Sequence, residues 1–172
     1  NHPQPLLVLA EIDLREMAVD AAADDLDRYV QVENDKKNAL NTAWNLYAKH
    51  AQHDAGLAWL EKQTDASGNQ TVFRAARADA RLVVYKRLNP TTDEAAALRK
   101  IVVDDCRLLA KDDPENAAKY AYKLRGLDEH ALAVAPFRTA ADDDSKKNIH
   151  FWIDYAESAI RATLPDNDIQ KI

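Results

Sequence analysis

The sequence predicts an all-α protein, a single-domain bundle of six or seven mostly antiparallel helices. Alanine, the residue with the highest helix propensity, is abundant throughout the chain. Apolar residues recur at steps of three and four, and no run of alternating apolar and polar residues between turn signals indicates a strand. A length of 172 residues is typical of one domain, so we expect one helical domain over 1–172 with polar termini at 1–4 and 165–172.

Two long helices are expected at the N-terminal end, each about 40 Å long at 1.5 Å per residue. The first should run from about Pro5 to Glu33, with two shifted apolar stripes that indicate contact with more than one neighbour. The second should run from about Lys36 to Asp65. Gly56 could divide this second helix into two, and the sequence leaves that open.

Shorter helices are expected to follow. A turn at Ser67-Gly68-Asn69 precedes a helix that Asn89-Pro90 ends at about Leu88. Thr91 and Glu94 have the spacing of a capping box, which predicts a helix from there to about Lys111.

Capping signals also divide the C-terminal part of the chain. Asp113-Pro114 predicts a helix start, and Gly126 is expected to end that helix as a left-handed cap. A short helix should then begin at Asp128 and stop at Pro136.

The last helix should start within Asp142–Ser145 and end before Pro165. His150–Asp154 and Glu157–Arg161 are expected to pair on its outer face. Its inward apolar stripe is expected to comprise Ile149, Trp152, Ile153, Ala156, Ala159, Ile160 and Thr163.

One short segment resembles a known repeat family. Leu109–Ala117 is similar to the junction between tetratricopeptide repeats over about nine residues. The Trp-Leu-Gly-Tyr-Ala spacing of that repeat does not follow, so we interpret the segment as Asp-Pro capping chemistry.

Composition excludes several classes of function. A net charge of −6 makes the chain a poor partner for phosphate backbones, so we expect no nucleic acid. The apolar runs are too short for a membrane span. No glycine-rich phosphate loop, nucleophile elbow or dinucleotide fingerprint occurs, and we expect no cofactor. Cys106 lies on an apolar stripe beside acidic residues and is expected in the core.

Two charged sets are candidate binding sites. Asp20, Asp24 and Asp27 lie at helical spacing within an acidic stretch and could bind a basic partner. A row of Arg74, Arg77 and Arg81 could grip a small anion or an acidic partner. The alternative for the arginines is internal pairing with the three aspartates.

A third candidate is a pair of histidines. The i,i+3 spacing of His50 and His53 could bring two imidazoles to one metal ion. Because no third or fourth ligand is supplied nearby, we favour two histidines at the edge of a helix seam and predict no metal site.

The aromatic residues are divided by their register. Trp44, Trp59 and Trp152 are expected in the core, whereas Tyr122 and Phe151 are off-register and are expected to be exposed contacts.

These observations favour a non-enzymatic protein-interaction module that binds a partner protein through charged helix faces. An exported bacterial effector or an effector-neutralising protein would fit, and an exported location is favoured because the chain begins with Asn1. The first helix leaves room for a homodimer seam. Alternatives are a ligand-sensing domain for a small anion and a metal-dependent helical enzyme at His50 and His53.

Overall fold

The computed structural model describes residues 3–141 and 149–163, and all regular structure in these ranges is helical. The start expected for the last helix, Asp142–Ser145, lies outside the described residues. The expected all-α class is confirmed. The expected count of six or seven helices is wrong, because the described ranges contain nine α-helices and one 3₁₀ turn.

The chain divides into two compact units, Asn1–Ala95 and Ala96–Ile172. The first unit contains α1 (Gln4–Arg15), α2 (Val19–Val32), α3 (Lys36–Lys49), α4 (His53–Ala66), α5 (Thr71–Tyr85) and the first residues of α6. The second contains the rest of α6 (Asp93–Asp112), the 3₁₀ turn (Pro114–Asn116), α7 (Ala117–Gly126), α8 (His130–Ala141) and α9 (Ile149–Thr163). The single domain over 1–172 stays a prediction.

The expectation of two long N-terminal helices is wrong, since each of the two segments forms a hairpin of two shorter helices. The chain reverses at Met17, with φ of 63°, and again 34 positions later at Ala51, with φ of 58°. In both turns, the backbone N–H after the left-handed residue donates a hydrogen bond to the carbonyl five residues earlier. The distances are 2.8 Å from Ala18 N to Asp13 O and 2.9 Å from Gln52 N to Tyr47 O. This is a Schellman turn, and its usual glycine signal is absent from both.

The open question of Gly56 is answered by its position inside α4. A Cβ atom added at Gly56 would lie 2.7 Å from Tyr47 Cβ and 3.1 Å from Trp44 Cζ3. Glycine therefore lets α4 pack closely on α3, and the chain reverses at Ala51 instead.

The first unit is built by stacking of hairpins. Helix α3 packs on α1 and α2 before it and on α4 and α5 after it. The core of the first unit contains aliphatic and aromatic side chains from each of the helices α1 to α5, including Leu14, Leu26, Leu40, Tyr47, Leu60 and Phe73. Stacked helix pairs in which each pair contacts its neighbours are the building plan of α-solenoid proteins.

Three further boundaries differ from the expected ones. Thr92, rather than Thr91, caps α6 by accepting a hydrogen bond from Ala95 N at 3.2 Å. The left-handed residue after α7 is Asp128, with φ of 62°, whereas Gly126 is helical. Helix α8 continues through Pro136, which is buried, as are Ala133 and Phe137 of the same helix.

The helix expected to begin at Asp113-Pro114 also starts differently. Residues Pro114–Asn116 form the 3₁₀ turn, and α7 begins only at Ala117. The Asp113 carboxylate accepts hydrogen bonds from Asn116 Nδ2 at 3.0 Å and from Tyr120 Oη at 2.8 Å. Tyr120 is fully buried, so Asp113 satisfies a hydroxyl that would otherwise lose its partner on folding.

In the second unit, α8 packs on both α7 and α9. Among the described residues, no helix is both long enough and apolar enough to cross a membrane.

Candidate interaction surfaces

Asp27 of the acidic set lies between two helices. Its carboxylate accepts hydrogen bonds from Trp59 Nε1 at 2.7 Å and from Gln63 Nε2 at 2.6 Å, and Lys62 Nζ lies 3.3 Å away. All three donors belong to α4, so Asp27 holds α2 against α4. A carboxylate occupied in this way is a structural contact of the fold.

Asp20 and Asp24 lie on the exposed side of α2. The three aspartates are therefore separated by role, with two exposed and one between helices. The use of Asp20 and Asp24 as a binding face for a basic partner stays a prediction.

The three arginines of α5 are half-buried. Arg81 Nη2 lies 2.9 Å from Glu61 Oε1 of α4, and Arg74 Nη2 lies 3.4 Å from Thr71 Oγ1. Arg77 also has an electrostatic or hydrogen-bonding partner. These contacts favour internal pairing, and Arg81 pairs with Glu61 of the neighbouring helix α4.

The two histidines lie on different helices. His50 caps α3, and His53 begins α4 after the left-handed Ala51. The imidazole of His53 packs edge-on against Trp44, with ring centroids 6.0 Å apart. Within the described ranges, no group of three His, Cys, Asp or Glu residues is placed to hold a metal ion.

Helix α9 has its aliphatic stripe turned to the solvent, and its expected orientation is wrong. Ile149 is 69% exposed, Ile153 54% and Ile160 55%. Trp152, which was expected in the core, is 41% exposed, and Ala156 between these residues is exposed as well. We call Ile149, Trp152, Ile153, Ala156 and Ile160 the α9 stripe.

The opposite side of α9 packs on α8 through aromatic rings. Phe137 of α8 lies 5.5 Å from the ring centroid of Phe151 and 5.8 Å from that of Tyr155. Phe151 is 4% exposed, so its expected exposure is wrong, whereas Tyr122 is exposed as expected. Edge-to-face and offset contacts between such rings stabilise packing beyond the area they bury.

Ion pairs hold a third side of α9. Arg125 of α7 lies 2.6 Å from Glu157 Oε2 and 3.1 Å from Asp154 Oδ1. Arg161 also pairs with Glu157, at 3.0 Å. The hydrogen bond from Arg125 is the main reason that the pKa of Glu157 is lowered and that of Arg125 is raised. The expected Glu157–Arg161 pair is therefore present, but it faces the network around Arg125.

A serine, a histidine and an aspartate also meet beside α9. His130 Nδ1 lies 3.4 Å from Ser158 Oγ, and His130 Nε2 lies 3.2 Å from Asp128 Oδ1. These residue types serve nucleophilic catalysis in hydrolases. Ser158 is fully buried, so a substrate does not reach its hydroxyl in this structure, and the contact instead links α8 to α9.

Cys106 is fully buried, as expected. Burial raises the pKa of its thiol to about 12, and the nearby Asp105 adds to the effect. A thiol with this pKa is almost wholly protonated at neutral pH and is a poor nucleophile.

Sequence reasoning missed two features of these surfaces. The contact of Asp27 with Trp59 has no sequence signal, because the residues are 32 positions apart. The aromatic residues Phe151 and Tyr155, which lie on the side of α9 opposite its aliphatic stripe, were the available signal for the orientation of α9.

No protein-family model matches the chain, and no curated protein matches it. Among solved structures, the chain is similar to the crystal structure of a thermophilic TPR protein from Thermus thermophilus. The identity is 13% and the TM-score 0.42, over 92% of this chain and 100% of the other. Function is therefore inferred from the chain's own residues.

Proposed function

We propose that the protein is a non-enzymatic interaction module that binds a partner protein, with the α9 stripe as its principal contact surface. The supporting observation is the orientation of α9, with four large apolar side chains in the solvent and its ion pairs against the fold. Contiguous apolar surface bordered by polar residues is typical of protein interaction sites. Its central Trp152 is of a residue type enriched among residues that dominate binding energy.

The charged residues and histidines that the sequence suggested as binding sites are weaker candidates than the α9 stripe. Asp27 contacts α4, Arg81 pairs with Glu61, and His53 packs on Trp44. Each of these contacts would have to break before the side chain could meet a ligand. A helical module with exposed apolar surface is therefore a better description than an anion sensor or a metal enzyme.

The exposed Asp20 and Asp24 provide a second, weaker contact surface in this proposal. Charges of this kind accelerate association and select basic partners. An exported effector, or a protein that neutralises one, is the biological role that we propose for such a module.

The test is capture of protein partners by the purified chain and by two variants. Ile153→Lys places a charge in the α9 stripe, and Leu108→Lys is its control because Leu108 is equally accessible, at 55% against 54% exposed, on α6. We expect a stoichiometric partner that the wild type and Leu108→Lys retain and Ile153→Lys loses. Equal retention by all three proteins would exclude the α9 stripe as the contact surface.

A further inference from the structure

Tyr47 of α3 is fully buried, and its hydroxyl oxygen is buried with it. Among the described residues, no donor or acceptor lies within hydrogen-bonding distance of Tyr47 Oη. A hydroxyl that leaves water on folding without gaining a new partner destabilises the folded state. Native proteins satisfy almost all such groups with protein atoms or with ordered water. The hydroxyl of Tyr47 is therefore a group for which the folded protein has to supply a partner.

The ring of Tyr47 is held in place by α4. Gly56 packs so closely on it that an added Cβ atom would lie 2.7 Å from Tyr47 Cβ and 2.8 Å from Tyr47 Cγ. The ring of Trp59 lies beside it, with the two ring centroids 6.0 Å apart. Trp59 is itself fixed by the hydrogen bond from its Nε1 atom to Asp27. The Tyr47 hydroxyl therefore has little freedom to swing toward another acceptor.

Two carboxylates of α2 lie near this hydroxyl. Burial is the main reason that the pKa of Tyr47 is raised to about 12, and the negative charges of Asp27 and Asp20 add to the effect. Both carboxylates are close enough for their charges to act on Tyr47 Oη, yet neither forms a direct hydrogen bond with it. A bridging water commonly joins a donor and an acceptor that lie near each other without touching.

The Asp27 carboxylate has the capacity to accept one more hydrogen bond. Its Oδ1 atom accepts from Trp59 Nε1 at 2.7 Å and from Gln63 Nε2 at 2.6 Å, which occupies both of its lone pairs. Its Oδ2 atom accepts a long bond from Lys62 Nζ, at 3.3 Å, and keeps a second lone pair. A water that donates to Asp27 Oδ2 and accepts from Tyr47 Oη would satisfy both groups.

We propose that Tyr47 Oη and the Asp27 carboxylate bind one ordered water between them. The hydroxyl donates its proton to the water oxygen, and the water donates one of its own protons to Asp27 Oδ2. Because Asp27 is already bonded to Trp59 and Gln63 of α4, this water joins α2, α3 and α4 at one point.

A cation is a poorer occupant of this position than water. Lys62 already lies beside the Asp27 carboxylate, 3.3 Å away, and balances its charge. In the part of the chain that the structure describes, no group of three His, Cys, Asp or Glu residues is placed to hold a metal ion. The water site belongs to the first unit and the α9 stripe to the second, so the test of the water site does not depend on the proposed function.

The first test is the effect of Tyr47→Phe on the equilibrium constant for unfolding, measured in denaturant. If a water satisfies the hydroxyl, its removal costs a hydrogen bond, and we expect the constant to rise by about two- to tenfold. A hydroxyl without a partner would give the opposite sign, because its removal would relieve the cost of burying it. An unchanged or lower constant would overturn the proposal.

Tyr120→Phe is the matched control. Tyr120 is also fully buried, and its hydroxyl donates directly to Asp113 at 2.8 Å. This variant should raise the unfolding constant by a similar factor, which sets the size of the effect for a buried tyrosine hydroxyl that has a partner. Destabilisation by Tyr120→Phe alone would show that Tyr47 Oη has none.

The second test separates a bridging water from a direct bond. A crystal structure of the full chain, at a resolution that shows ordered water, should contain one water within about 3 Å of both Tyr47 Oη and the Asp27 carboxylate. A direct hydrogen bond from Tyr47 Oη to Asp27, or a well-ordered site without this water, would overturn the proposal even if Tyr47→Phe is destabilising.

Discussion

Arg125 of α7 donates a hydrogen bond to the Glu157 carboxylate of α9 across 2.6 Å, and the same guanidinium reaches Asp154. This contact places the polar edge of α9 against the fold. Because the aromatic rings of α9 contact Phe137 on another side, the aliphatic stripe is left in the solvent.

Replacement of Glu157 by Gln should lower stability at neutral pH by about 1 kcal/mol or less, as expected for a partly exposed ion pair. The folded-state pKa of Glu157 lies below its usual 4.5, so the pair contributes stability above pH 4.5 and loses it as pH falls through the folded value. Denaturant unfolding at pH 7 and at decreasing pH measures the difference. The free energies of unfolding of the wild type and Glu157→Gln should converge in acid. A difference between them that grows below pH 4.5 would contradict the stabilising role of the Glu157 ion pair.

Replacement of Gly56 by Ala should destabilise the protein by about 1–3 kcal/mol, although alanine is the better helix former. The added Cβ atom would lie 2.7 Å from Tyr47 Cβ, so α3 and α4 would have to separate. Thermal unfolding measures the effect.

Gly126→Ala is the matched control for Gly56→Ala. Gly126 is also helical, but no atom lies within 4 Å of an added Cβ. It should leave stability unchanged or raise it by up to about 1 kcal/mol. A Gly56→Ala protein as stable as Gly126→Ala would contradict the close packing of α3 on α4.

Replacement of Asp27 by Asn should cost about 1–3 kcal/mol, because Trp59 Nε1 and Gln63 Nε2 would lose a charged acceptor. Trp59 is nearly buried, so its fluorescence in the folded state should change as well. Asp24→Asn, an exposed change on the same helix, should stay within about 0.5 kcal/mol of the wild type. Similar free energies of unfolding for Asp27→Asn and Asp24→Asn would exclude a structural role for Asp27.

The native thiol of Cys106 should not react with a thiol reagent such as dithionitrobenzoate at pH 8 in the folded protein. It is fully buried, and its pKa is raised to about 12. Addition of denaturant should release one reactive thiol per chain, as the sequence contains one cysteine. Rapid reaction without denaturant would mean that the core around Cys106 opens readily.

Helical character was predictable from the sequence, since the spacing of apolar residues and the scarcity of glycine both indicate it. The hairpins at Met17 and Ala51 were not, because a non-glycine residue in the left-handed region has no distinct signal. Gly56 suggested a break where the structure has a close helix contact. The positions of these turns depend on packing between helices, and the apolar pattern of a single helix carries no information about that packing.

The candidate site was predictable only as a set of residues. The apolar spacing identified Ile149, Ile153 and Ile160 as one face of a helix, but spacing does not say which face meets the core. Aromatic packing of Phe151 and the ion pairs of Arg125 decided the orientation. Both depend on residues of α7 and α8, and they turned a predicted core face into an exposed one.

The orientation of α9 is measured most directly by the rates of thiol labelling of two variants, each with one added cysteine. Ile153→Cys should label at a rate close to that of the unfolded chain, because this position is 54% exposed. Ser158→Cys should label at least about 100-fold more slowly, since Ser158 is fully buried and a thiol there would require local unfolding. Faster labelling of Ser158→Cys than of Ile153→Cys would mean that the α9 stripe is buried in the core. The protein would then lack the surface on which the proposed function depends.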